Sequence, residues 1–309
     1  MDGRSASGSG SDRLASALAP FGAEAVAIAR LVVPLDGSPF AERALPVARW
    51  AAGALAADVQ VVEVVPARDD EAAEAAIRYL DAVAHRHRAT SWDVLRGDDV
   101  ARALADAVAG APDRVACIAT HGRDRSAALL GSVAAALLHR SRRPVLLAGP
   151  HARPVDATDA PVVVAVDGTA RDDHLVPVAL GWAGRLARPL VIATVAEPAP
   201  RPYERAGAER RAHGPADPER YVDELAARAA KAGAEAGVAV EGRVIYDPVS
   251  VREGLVPELD RTAALVVLGS RPRQGLPRMV LGSHAARIVH DVAIPALAVP
   301  LPAAGESPT

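Results

Sequence analysis

At 309 residues, half of them hydrophobic but only 3% aromatic, the chain has room for two domains with cores built mainly from Ala, Val and Leu. A formal net charge of −3 gives no electrostatic reason to expect a nucleic-acid partner. The one cysteine, Cys117, excludes an internal disulfide framework and fits a reducing, cytoplasmic setting, and no apolar run approaches the roughly 18 residues of a membrane span.

The N-terminal stretch MDGRSASGSGSDRLASA has no apolar signal core, and residues 1–28 read as a disordered leader. Elements then alternate. Strands are predicted near 30–35, 59–65, 90–95, 114–119 and 144–149, with helices over 40–56, 71–88, 98–109 and 132–141 between them. A linker follows at 151–160. The pattern then restarts, with strands near 161–166, 189–195, 238–246, 264–269 and 295–300. Residues 302–309 form a tail.

The restart is a duplication. LVVPLDGSPFAERALPVARWAA (31–52) answers VVVAVDGTARDDHLVPVALGWAG (162–184), and LLGSVAAALLHRSRRPVLLAGP (129–150) answers VLGSHAARIVHDVAIPALAVP (280–300). Asp167 follows Asp36 by 131 positions and Gly282 follows Gly131 by 151, so the second copy carries 20 more residues between these landmarks. Most of them fit the Pro- and Arg-rich stretch 198–220, read as a solvent-exposed insertion. The fold class is therefore α/β: two repeated, doubly wound domains, 29–150 and 161–301, each with a five-stranded parallel sheet. The last strand of each copy belongs at a sheet edge, where the two copies are expected to pair with each other.

Doubly wound sheets bind ligands beyond the strand C-termini, at the topological switch point. The loops after the first and fourth strands are thus the ones to inspect. The first loops carry Asp36-Gly37-Ser38 and Asp167-Gly168-Thr169. Such an Asp can accept hydrogen bonds from a ligand, or it and the Ser can simply cap the next helix. The second loops are ATHGRDRSAALLGS (119–132) and GSRPRQGLPRMVLGS (269–283). Their small residues let a ligand approach the backbone, and Gly131-Ser132 and Gly282-Ser283 each open a helix whose amides favour phosphate. Gly-Ser is also an ordinary helix start.

The combination VVPLDGSPFAERAL, THGR after the fourth strand and LLGSVA…RRPVLLAG resembles a universal stress protein domain, once over about 29–150 and again over 160–301. That resemblance implies an adenine nucleotide α-hydrolase-like sandwich and the nucleotide pattern Gly-x2-Gly-x9-Gly-Ser/Thr. It assigns the base to Asp36 and Val64 in the first copy and to Asp167 and Val195 in the second. Ribose and phosphates fall to Ala119, Gly122, Gly131 and Ser132, and in the second copy to Gly269, Gly282 and Ser283. Each copy departs from the pattern. The first has Ala119 for the leading Gly and one residue fewer before Gly131; the second has Pro272 for the middle Gly, which removes an amide donor. The first site therefore ranks ahead of the second.

The expected function is a regulator of stress adaptation that binds ATP or another adenine nucleotide, with Mg2+ entering only through the nucleotide. An unidentified regulatory protein is the other expected partner. Strong catalysis is not expected, because there is no Walker lysine and no GxSxG nucleophile. The alternatives are an interaction module with decayed sites and an enzyme of the related adenine-nucleotide superfamily; the HIGH- and KMSKS-like signatures of its adenylyl-transferring ligases do not occur here. Arg123, Arg125, Arg271, Arg273 and Arg278 border the loops as candidate phosphate partners. Cys117 reads as a core residue. His284 and His290 read as solvent-facing, and His121 as a loop residue within reach of a ligand.

Overall fold

The computed structural model describes residues 28–121, 130–196, 215–247, 250–272 and 279–301. Its first half runs β1 (Arg30–Leu35), a 3-10 turn (Ala41–Arg43), α1 (Ala44–Leu55), β2 (Asp58–Val65), α2 (Asp70–His87), β3 (Ser91–Arg96), α3 (Val100–Ala109), β4 (Arg114–Ala119), α4 (Ser132–Arg140) and β5 (Val145–Ala148). Its second half runs β6 (Val162–Ala165), α5 (Asp172–Arg185), β7 (Leu190–Ala196), α6 (Pro218–Ala236), β8 (Val240–Tyr246), α7 (Val251–Thr262), β9 (Leu265–Pro272), β10 (Met279–Leu281), α8 (Ser283–Asp291) and β11 (Ala296–Pro300).

Helix starts are written locally. Asp69, Asp99, Asp217 and Ser250 each accept a hydrogen bond from the amide three residues on, at the head of α2, α3, α6 and α7. Asp217 and Pro218 fix the start of α6, so residues 218–220 belong to a helix rather than to the expected insertion. Residues 197–214, the bulk of that insertion, lie outside the described residues.

One sheet spans both halves in the order β3-β2-β1-β4-β5-β11-β9-β6-β7-β8. Neighbours within each half are parallel along this path, while β5 and β11 meet antiparallel, with Leu146 opposite Leu297. Each half thus has the order 3-2-1-4-5, with its switch point between the first and fourth strands. Alternate strand residues feed two cores. Leu31, Val33, Leu146, Val162 and Leu297 face α1, α2, α5 and α6, and Val32, Val145, Leu147, Val163 and Ala298 face α3, α4, α7 and α8. Both layers run unbroken across the centre, so the halves share a core as well as a hydrogen-bonded seam. Cys117 is fully buried within β4, and its burial pushes the thiol pKa up.

The linker is pinned down. Arg188 of the second half is buried and donates to the carbonyls of Val155 (2.8 Å), Ala160 (2.9 Å) and Ala157. Its guanidinium also lies over the Trp50 ring, 5.7 Å from the centroid, while Trp50 Nε1 donates to Val155 at 3.0 Å.

Candidate functional site

At the first switch point Asp36 follows directly on β1. The Ser38 amide donates to Asp36 Oδ1 at 2.9 Å, and Ser38 Oγ accepts the Ala41 amide at 3.2 Å. Gly37, at φ 77°, makes the left-handed turn between them. Both sequence readings of this loop therefore meet in it: Ser38 caps, and Asp36, partly exposed, orders the turn while standing on the ligand edge. Val64 near the end of β2 is also partly exposed, and Ala119 ends β4.

The β4 loop is closed at its neck, where the Gly131 amide donates to the Thr120 carbonyl at 2.6 Å. Helix α4 begins at once, with Gly131 as its N-cap, a residue that has no side chain with which to cap the first amides. Ser132 is exposed. An α-helix start without a side-chain cap leaves amide donors and the positive end of the dipole for an anion. Asp36, Val64 and Ala119 thus stand at or near the C-terminal ends of β1, β2 and β4, and Gly131 and Ser132 at the head of α4; Gly122, with Arg123 and Arg125, lies outside the described residues. Behind the crevice Tyr79 donates to Glu42 at 3.1 Å, and burial followed by the Glu42 carboxylate pushes the phenol pKa up.

The second crevice has the same skeleton but a different filling. Gly168 repeats the turn at φ 80°, and Thr169 Oγ1 donates to Asp167 Oδ1 at 2.7 Å. A Cβ on Gly168 would meet the Pro215 nitrogen at 2.9 Å, so the chain entering α6 lies directly against the Asp167 turn. Asp172, a residue the sequence reading missed, is buried and accepts from the Gly168 amide (2.9 Å), the Asp167 amide (3.2 Å) and the Tyr221 hydroxyl (2.9 Å). Burial raises its pKa, although the hydrogen bonds from Tyr221 and Gly168 pull the other way. Tyr221 comes from α6, so the helix beyond the insertion is bolted to the switch-point turn.

At the β9 end a Cβ on Gly269 would lie 2.4 Å from Leu301 Cδ1, and Leu301 is buried. The space above Gly269 is taken by the chain's own side chain. Strand β9 also runs past Gly269 to Pro272 and pairs with β10, turning this loop into an antiparallel hairpin. Val195 is buried where Val64 is partly exposed. Gly282 is the N-cap of α8, as Gly131 is of α4, and Ser283 is exposed.

A family model for the universal stress protein family matches residues 28–149 and 160–300. The chain belongs to the universal stress protein family. Universal stress protein Rv1996 of Mycobacterium tuberculosis is 27% identical over 88% of this chain and 95% of its own length. Two solved structures share the tandem fold. A universal stress protein from Archaeoglobus fulgidus superposes with a TM-score of 0.62 at 19% identity, covering 88% of this chain and 96% of that one. A functionally unknown Pseudomonas aeruginosa protein superposes with a TM-score of 0.52 at 17% identity, covering 89% and 93%.

The histidines of this universal stress protein call for a correction. His284 is exposed, whereas His290 is only partly exposed and its ring also packs against His121 and His151. His87 Nε2 lies 3.6 Å from Glu42, and His85 is exposed. Among the described residues no group of three or more His, Cys, Asp or Glu is placed to hold a metal ion, and no helix is long and apolar enough to cross a membrane.

Proposed function

We propose that this universal stress protein binds an adenine nucleotide in its first half, ATP being the ligand to test first, and acts in stress adaptation as a regulator rather than a catalyst. The observation that carries this reading is the contrast between the two switch points. At the first, Gly131 heads α4 just past β4, and β4 pairs with β1, the strand that leads into Asp36. The second is filled by Leu301 at Gly269 and Pro215 at Gly168. In this reading Asp36 and Val64 hold the base, Ala119 and Gly122 border the ribose, and Gly131 and Ser132 present amides to the phosphates, which carry any Mg2+. Asp167, Val195, Gly269, Gly282 and Ser283 form the weaker counterpart. The protein works in the cytoplasm, with a regulatory protein as its further partner.

Calorimetric titration with MgATP tests this. Binding should saturate at one nucleotide per chain. Asp36→Ala and Gly131→Asp should each weaken it at least about tenfold, the weight of one hydrogen bond to a charged group. Asp167→Ala and Gly282→Asp should change it little. Failure of the parent to bind, or equal losses from both pairs, would refute the reading.

A further inference from the structure

Three histidines from distant parts of the chain meet at the seam between the halves. His121, two residues past β4, faces His290 on α8, with ring centroids 5.9 Å apart and planes at 76°. His151, just beyond β5, meets the same ring at 6.3 Å and 84°. Edge-to-face ring pairs at this separation are attractive and directional. The His121 Nδ1 lies 3.0 Å from Thr120 Oγ1 and the His290 Nδ1 3.1 Å from Asp291 Oδ1. Asp291 pairs in turn with Arg252 at the head of α7, and both contacts hold its carboxyl below the usual carboxylate range. His290 is thus oriented from within the second half while its ring meets the first.

The backbones around this contact are just as close. A Cβ on Gly149 would lie 2.2 Å from the Val289 carbonyl oxygen, and the Arg153 amide donates to Ala293 at 2.8 Å. Gly149 follows Ala148, whose carbonyl accepts the Thr120 amide at 3.0 Å. The end of α8 is therefore wedged against the chain just past β5, and the Thr120 amide ties the neighbouring end of β4 to that point. Thr120 also holds the neck of the loop through Gly131. The opposite contact exists too, because β10 of the second half packs against α4 of the first.

We propose that His290 is a positioning residue for the neck between β4 and α4 in the other half. It fixes the His121 ring, His121 meets the Thr120 hydroxyl, the Thr120 carbonyl holds Gly131 at the head of α4, and the nucleotide affinity of the first half thereby depends on the second. This rests on the nucleotide reading above. The test is titration of the full chain with MgATP, comparing the parent with His290→Ala, His290→Phe, His121→Ala and the double alanine variant. His290→Ala should weaken binding about fivefold, the low end of coupling between linked sites. His290→Phe keeps a ring against His121 and should restore most of the affinity. The double variant should bind no more weakly than His121→Ala alone. In the parent, the ring 15N–1H signals of His290 should shift on adding MgATP, and in His121→Ala they should not. A parent that binds while His290→Ala binds equally well, or a silent His290 signal, overturns the positioning role and leaves the nucleotide reading standing. A parent that does not bind overturns both.

Discussion

Replacing Gly149 by alanine puts two opposing effects in competition, and the structure decides between them. Alanine narrows the unfolded ensemble, which stabilises a compatible site by about 0.4–1 kcal/mol. Against this, the new methyl would sit 2.2 Å from the Val289 carbonyl oxygen and 3.4 Å from its carbon. Ordinary contact lies near 3.5 Å, so the end of α8 must retreat by roughly 1 Å. The clashing atom is backbone, in a helix whose Ile288 and Val289 are buried, so no flexible side chain can yield. Overpacking of this kind costs about 1–3 kcal/mol, which outweighs the entropic gain. At about 2–4 °C per kcal/mol for a chain of this size, a net loss of about 1–2 kcal/mol lowers the melting temperature by about 2–8 °C. Differential scanning calorimetry measures this directly. Gly53→Ala is the matched control, since Gly53 lies in α1 and its added methyl would meet nothing within 4 Å. It should raise stability by about 0.5–1 kcal/mol. A Gly149→Ala variant that melts at or above the parent would refute the close approach of α8.

Two further outcomes are expected. Arg188→Ala strips charged donors from the carbonyls of Val155, Ala157 and Ala160, and should cost about 2–3 kcal/mol in urea unfolding; a loss below about 0.5 kcal/mol would show that the linker is not held there. Asp172 has a folded-state pKa raised mainly by burial, so its contribution to stability is fully present below the unfolded carboxylate value and is lost as pH rises through the folded value. Asp172→Asn lacks this titration and should gain on the parent as pH rises above the ordinary carboxylate range, and a difference in unfolding free energy that does not change with pH would contradict the assignment.

The central strands were legible because each is a short Val-, Leu- or Ala-rich run buried on both faces, and such runs leave few alternatives, whereas the edge strands β3 and β8 are half-exposed and mixed in character. Val32 and Val33, or Leu146 and Leu147, announce a strand without reference to anything distant. Gly37 and Gly168 were legible as turns, since each follows a strand-ending Asp and opens a helix. What escaped the sequence depends on residues brought together from afar. Arg188 is one arginine among many, and only the fold puts it over Trp50, more than a hundred positions away. Asp172 reads as a residue of the first helical turn until α6 supplies Tyr221. The β10 strand is three residues long, and Pro272 in the same loop argues against pairing; the Met279-Val280-Leu281 run was its only signal. His290 looked like a surface residue because its neighbours belong to the other copy.

The antiparallel meeting of β5 and β11 has an evolutionary and a physical side. Two separate chains would find each other only at sufficient concentration, whereas the joined copies remain together at any dilution, each facing its neighbour at an effective concentration set by the tether. Joining also releases the interface from self-complementarity. In a symmetric pair every substitution is made twice, so a side chain that suits one flank must suit its image. Here the position that is Gly149 after β5 is Pro300 at the end of β11, and α8 presses closely on the glycine. One flank can therefore be tightened without altering the other, so the two halves of one sheet are free to diverge in what their strand ends carry.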